Sequence, residues 1–108
     1  MRHAVLAAVL TLAAAPAGAA DHPCAADARA RAAALLRFHA EVDVSGQVGV
    51  RDGVEQRAPV RALVGKGKLD ALEVWGDVLK ASYRMRFLYS RREGCALIGQ
   101  EIVESVAP

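Results

Sequence analysis

The sequence predicts an α+β domain: one N-terminal helix packed on a curved antiparallel sheet of four to five strands, a plan shared with cystatin-like folds. Two observations carry this. Residues 25–41, ADARARAAALLRFHAE and its flank, are rich in strong helix formers with one apolar stripe. From Leu69 to Glu104 the chain instead alternates apolar and polar side chains with period two, interrupted by turn-forming residues.

Met1–Ala20 reads as a secretory signal peptide. Arg2 and His3 precede an apolar run from Ala4 to Ala15, and small residues around Ala19 and Ala20 supply the cleavage positions. The run is shorter than the roughly 20 residues of a membrane span, and no later stretch qualifies. The mature domain, 21–108, is therefore expected to be periplasmic or secreted.

On a helical wheel Ala25, Ala28, Ala32, Leu35, Leu36, Phe38, His39 and Val42 share an arc, while Arg29, Arg37 and Glu41 point away. Asp27 and Arg31 are spaced i, i+4 with the acid first, which supports the helix. The segment 42–57 reads as either a hairpin turning at Asp52-Gly53 or a loop. Pro59 marks an edge or a strand start, Val60 to Val64 is extended, and Gly65-Lys66-Gly67-Lys68 turns the chain.

In the main block Gly76-Asp77 has the Gly-first form of a type II′ turn. That turn pairs Trp75 with Val78, Val74 with Leu79, Glu73 with Lys80, and Leu72 with Ala81. Ala81, Tyr83, Met85, Phe87 and Tyr89 then form a core face, joined by Ala96, Ile98, Gln100 and Ile102 from the last strand. Glu73, Lys80, Arg84, Arg86 and Glu101 form an alternating-sign lattice on the opposite face, with Glu101 opposite Arg84 or Arg86.

Cys24 and Cys95 are the only cysteines of the 108 residues. An even count in an exported chain points to a disulfide. Strict alternation turns Cys95 toward the polar face, whereas the helix after Cys24 should cover the aromatic one. Either Cys95, at the strand edge, is reached around the end of the sheet, or a bulge near Gly94 turns it. In the opposite arrangement the helix covers Leu88, Cys95, Leu97 and Val103 and leaves the aromatics to a partner.

With Arg2 set aside, thirteen basic side chains meet twelve acidic ones. Phosphate binding needs a concentrated basic excess, so nucleic acid is not the expected partner. No complete catalytic or cofactor motif is present, and no cofactor is expected. The runs LEVWG, YRMRFLY and CALIGQEI resemble small exported proteins of unknown function from Gram-negative bacteria. That resemblance covers about Leu69 to Glu104 and implies an envelope or secreted location and an α+β domain. It brings no catalytic residue with it.

Two readings of function follow. In the first, a non-enzymatic binding module, such as an inhibitor or envelope accessory protein, meets a protein partner through Glu73, Trp75, Lys80, Arg84, Arg86 and Glu101, with Trp75 exposed at a hairpin tip. In the second, a small envelope hydrolase cleaves glycan or peptide with Glu73 and Glu101 as its acids, although their basic neighbours argue against a raised pKa. Self-association through an edge strand into a homodimer is a third. His39 reads as a core or boundary histidine, and Ser82 and Ser90 as strand hydroxyls. His22 becomes a square-planar Cu(II) or Ni(II) ligand only if cleavage follows Ala19, placing it third in the mature chain.

Overall fold

The computed structural model describes residues 22–41, 48–92 and 94–105. Residues 1–20, expected to be a signal peptide, and the positions of Val42 and Val44 lie outside them. Helix α1 (Ala25–Ala40) is followed by β1 (Val48–Arg61), β2 (Lys68–Val78), β3 (Ala81–Ser90) and β4 (Leu97–Ser105). The strands form one antiparallel meander in the order β1-β2-β3-β4, so the fold is α+β with four strands.

Helix α1 packs on the aromatic face, across β1 and β2 and reaching β3. Ala28, Ala32 and Leu36, spaced four apart, are completely buried against Leu72, Val74, Met85, Phe87 and Tyr89. Their spacing places them in one row along the helix. Two alanines in that row let the backbone come close to the sheet. Tyr89 reaches back across this layer, its hydroxyl donating to Asp27 Oδ2 at 2.8 Å. Arg31 holds the same carboxylate from the next turn at 2.7 Å. At the far end of the helix Glu41 caps in the left-handed conformation. Phe38 departs from the expected stripe and is 84 % exposed. It lies at the margin of the arc, beyond the part of the sheet that the helix covers, while exposed His39 meets the Tyr83 ring edge-on at 5.4 Å.

The β2–β3 turn is not at Gly76-Asp77. Val78 pairs with Ala81, and the two turn residues are Leu79 and Lys80, with Leu79 at φ 54°. Trp75 therefore faces Arg84, Val74 faces Met85, Glu73 faces Arg86 and Leu72 faces Phe87. A turn at Leu79 costs on the order of 1 kcal/mol for the left-handed backbone. It extends the ladder to ten residue pairs. The displacement changes the register by an even number, so β2 up to Trp75 and β3 from Ala81 keep their expected faces, while Val78 passes from the polar face to the core.

Gly76 is needed for a different reason. A Cβ there would lie 2.7 Å from Leu36 Cδ2, 3.0 Å from Met85 Cε and 3.1 Å from the Gly49 carbonyl oxygen. Leu36 of the helix packs directly against the strand backbone here. Gly76→Ala is expected to lower unfolding free energy by about 2 kcal/mol through overpacking, measurable in urea. A loss below about 0.5 kcal/mol, the scale of an ordinary surface substitution, would show that Leu36 gives way freely.

Strand β1 is continuous where a hairpin or loop was expected. Asp52-Gly53 lies in a bulge between Val50 and Val54, not at a turn, and Pro59 lies in a second irregularity between Arg57 and Val60. Both sit on an edge strand, where a missing amide donor and a local kink discourage further pairing. The second bulge inserts one extra residue, so Val60 joins Arg57 on the face away from the helix.

A third irregularity lies on β4. Leu88 pairs with Gly99 and Tyr89 with Leu97, leaving Ile98 as the extra residue. Ile98 is thus 59 % exposed on the open face rather than under the helix, while Ile102 and Gln100 pair with Met85 and Phe87 as expected. Exposed Ala96 precedes the strand and accepts from the Ser90 amide at 3.0 Å. The same slip resolves the placement of Cys95. It reaches Cys24 at the helix N-cap, and the two form a disulfide with a Cα–Cα distance of 5.4 Å.

Candidate functional site

The open face of the sheet collects the polar residues of β1, β2, β3 and β4 around one buried carboxylate. Glu73 sits at the centre of β2, flanked by Glu55 on β1 and Arg86 on β3, and is 1 % exposed. Its Oε2 accepts from Arg57 Nη2 at 2.7 Å and Nε at 3.0 Å, and its Oε1 from Arg86 Nε at 3.2 Å. Arg84 Nε lies 3.7 Å from the same Oε1 and has no hydrogen-bond partner. Three guanidinium groups therefore roof one acid.

Around that centre Glu101, half exposed, lies 3.5 Å from Arg84 and 3.9 Å from Arg86, and Glu55 pairs with Arg57 at 2.8 Å. Toward the β2–β3 turn, Trp75 Nε1 points at Glu73 Oε2 at 3.4 Å, and the Arg51 guanidinium covers the indole ring at 5.5 Å. Arg51 is held there by a two-pronged pair with Asp77, at 2.8 and 3.0 Å, and Ser82 donates to the same Asp77 at 2.7 Å. Toward the other end the surface turns apolar. Val60, Leu63, Leu69, Leu88 and Ile98 line a groove of ≈ 490 Å³.

Burial pushes the Glu73 carboxyl up, but the hydrogen bonds from Arg57 and Arg86 outweigh it and hold the group below its ordinary value. Asp77 is lowered in the same sense by Arg51, then by Ser82. An acid so held stays ionised. A general acid for glycoside cleavage needs the reverse, a carboxyl kept protonated by an apolar pocket.

Glu73, Arg84, Arg86 and Glu101 are thus brought together as expected, with two differences. Glu73 is an interior counterion rather than one member of a solvated lattice. Lys80 is absent from the group, because the turn at Leu79-Lys80 carries it to the end of the sheet as an exposed residue. Trp75 belongs to the site but lies mid-strand and half-buried, not at a hairpin tip. Arg57 and Arg51 are the residues that sequence reasoning missed. Glu55 and Arg57 do alternate along β1, the one available signal, but the bulges on either side of them break the period that would have marked the strand.

His22 is engaged elsewhere. Its Nδ1 accepts from the Cys24 amide at 3.0 Å, so Nε2 carries the proton donated to Asp70 Oδ2 at 3.0 Å. Arg91 completes this link to the β3–β4 loop, donating to Asp70 Oδ1 at 2.7 Å. Both ring nitrogens are used, and residues 20 and 21, which a copper site would also require, lie outside the described residues. No cluster of metal-ligating side chains occurs among the described residues. Among these residues no helix is long and apolar enough to cross a membrane. Comparisons with protein-family models, with curated proteins and with solved structures find no match for this chain.

Proposed function

We propose that the chain is an exported, non-enzymatic binding module that meets a protein partner with the open face of its sheet. The resemblance to small exported proteins of Gram-negative bacteria and the Cys24–Cys95 disulfide, a bond typical of oxidising compartments, support export. The observation that carries the binding reading is the pairing of Glu73. A buried acid neutralised by Arg57, Arg84 and Arg86 has lost the freedom to exchange protons, but it fixes three guanidinium groups across the middle of an uncovered sheet. Arginines held in place by an internal counterion lose less side-chain entropy on binding than free ones. Beside them lies the half-buried Trp75, and Trp and Arg are the residue types enriched at interface hot spots. The same pairing counts against the hydrolase reading, which needs Glu73 or Glu101 protonated.

The disulfide-bonded protein, immobilised and exposed to an envelope extract, is expected to retain a partner that Trp75→Ala and Arg84→Glu each weaken at least tenfold, an effect of hot-spot size. Phe38→Ser, on the helix side, should leave retention unchanged. Equal retention by wild type and by both open-face variants would overturn the reading. So would hydrolysis of an envelope glycan or peptide that Glu101→Gln abolishes with folding intact.

A further inference from the structure

At the end of the sheet opposite the Leu79-Lys80 turn, the β1–β2 connection puts two apolar side chains into open solvent. Leu63 is 103 % and Val64 87 % exposed, although the loop is ordered by a hydrogen bond from the Ala62 amide to the Gly67 carbonyl at 2.9 Å and by Gly65 at φ 83°. Single exposed apolar residues are ordinary. Here, however, the apolar surface continues behind the tip into Val60 and Ile98, 37 % and 59 % exposed.

Among the described residues, four exposed cations gather around this tip. Arg61 at the end of β1, Lys66 in the loop itself and Lys68 at the start of β2 flank it, and Arg92 stands across from it on the β3–β4 loop, lining the same ≈ 730 Å³ depression as Val64, Lys66 and Lys68. Among the described residues none of these four cations has an acidic partner. The nearby acid, Asp70, is already committed to His22 and Arg91. Glu93, in the same loop, lies outside the described residues.

We propose that this end of the molecule docks on the surface of an anionic lipid bilayer, with Leu63 and Val64 entering the interface and Arg61, Lys66, Lys68 and Arg92 contacting lipid phosphates. An apolar tip ringed by cations matches the order of a bilayer surface, with anionic headgroups outside and hydrocarbon beneath. A protein groove would not require four cations around an apolar tip. The site stands apart from the Glu73 centre, so its failure leaves the proposed binding face untouched.

The test is co-sedimentation of the disulfide-bonded protein with vesicles of phosphatidylcholine alone and of an equal mixture with phosphatidylglycerol. Only the anionic vesicles should pellet the protein, and less so as salt is raised. Lys66→Gln with Lys68→Gln should lower the partition coefficient roughly 25-fold, about fivefold for each cation near the surface. Leu63→Ser with Val64→Ser should abolish the portion that persists at high salt. All four positions are exposed, and thermal melts by circular dichroism establish that the variants fold. Equal partition to both vesicle types, or unchanged partition of either double variant, overturns the proposal. Retention of monomeric dodecanoate without vesicle binding would do the same, assigning the groove to a soluble amphiphile.

Discussion

Cys24→Ala with Cys95→Ala is expected to lower the unfolding free energy by about 4 kcal/mol, the largest effect of any change considered for this domain. The bridge closes a sequence separation of 71 residues, and in the chain-entropy model such a loop restricts the unfolded chain by about that amount. A domain of this size has roughly 5 kcal/mol or little more to lose. The double variant should therefore sit close to its unfolding midpoint at ordinary temperature. Alanine is the appropriate replacement because Cys24 is 3 % exposed, and serine would add the cost of a buried hydroxyl. Two further signs identify the mechanism. The urea m-value should rise, because an unfolded chain without the cross-link exposes more surface. Amide exchange should accelerate first in β4 and the first turn of α1, since the disulfide joins the helix N-cap to the segment leading into the one strand that the helix scarcely covers. A loss under about 1 kcal/mol with an unchanged m-value would mean that the fold closes this loop without the bond.

The facing of nearly every β2 and β3 residue was legible because period-two alternation survives any even displacement. The register was not, and Gly76 explains why. Read locally, Gly76-Asp77 is a better turn than Leu79-Lys80. The competing demand comes from Leu36, forty residues earlier in sequence, and no local pattern carries it. Ile98 shows the complementary failure. One extra residue on β4 inverts the alternation toward the strand start, and a bulge has no signature in GCALIGQ beyond its glycines. The same bulge removes the conflict over Cys95 that strict alternation creates. The acid–base lattice was half legible for a similar reason. Cross-strand complementarity located Arg84, Arg86 and Glu101, but the most intimate partner of Glu73 is Arg57, on a strand whose two bulges hid its continuity. Phe38 marks the limit of the helical wheel, which assigns a stripe but not how far the sheet extends beneath it.

Glu73→Ala should cost about 3 kcal/mol, because removing one partner of a buried ion pair leaves the other uncompensated. The low end of the usual range applies. The side chains of Arg57, Arg84 and Arg86 are one-third to one-half exposed, so water can reach them once the acid is gone. Glu73→Gln keeps the volume and one acceptor oxygen and should fall between wild type and alanine. The pH dependence separates charge from packing. Glu73 is held below its ordinary value by Arg57 and Arg86 against the pull of burial, Asp70 by His22 and then Arg91, Asp77 by Arg51 and Asp27 by Arg31. Each has a folded pKa beneath its unfolded one. Each thus contributes stability that is complete above the unfolded value and disappears as pH falls through the folded value. Wild-type stability should accordingly hold down to pH of about 4 and decline below it. The Glu73→Gln protein should start lower at neutral pH and decline less steeply, because the most deeply buried of these four acids has already been removed. Urea titrations at a series of pH values test both points. Parallel curves, or an alanine variant within about 1 kcal/mol of wild type, would mean that the three guanidinium groups stand without their counterion. The open face would then lose the rigid centre on which its proposed binding role depends.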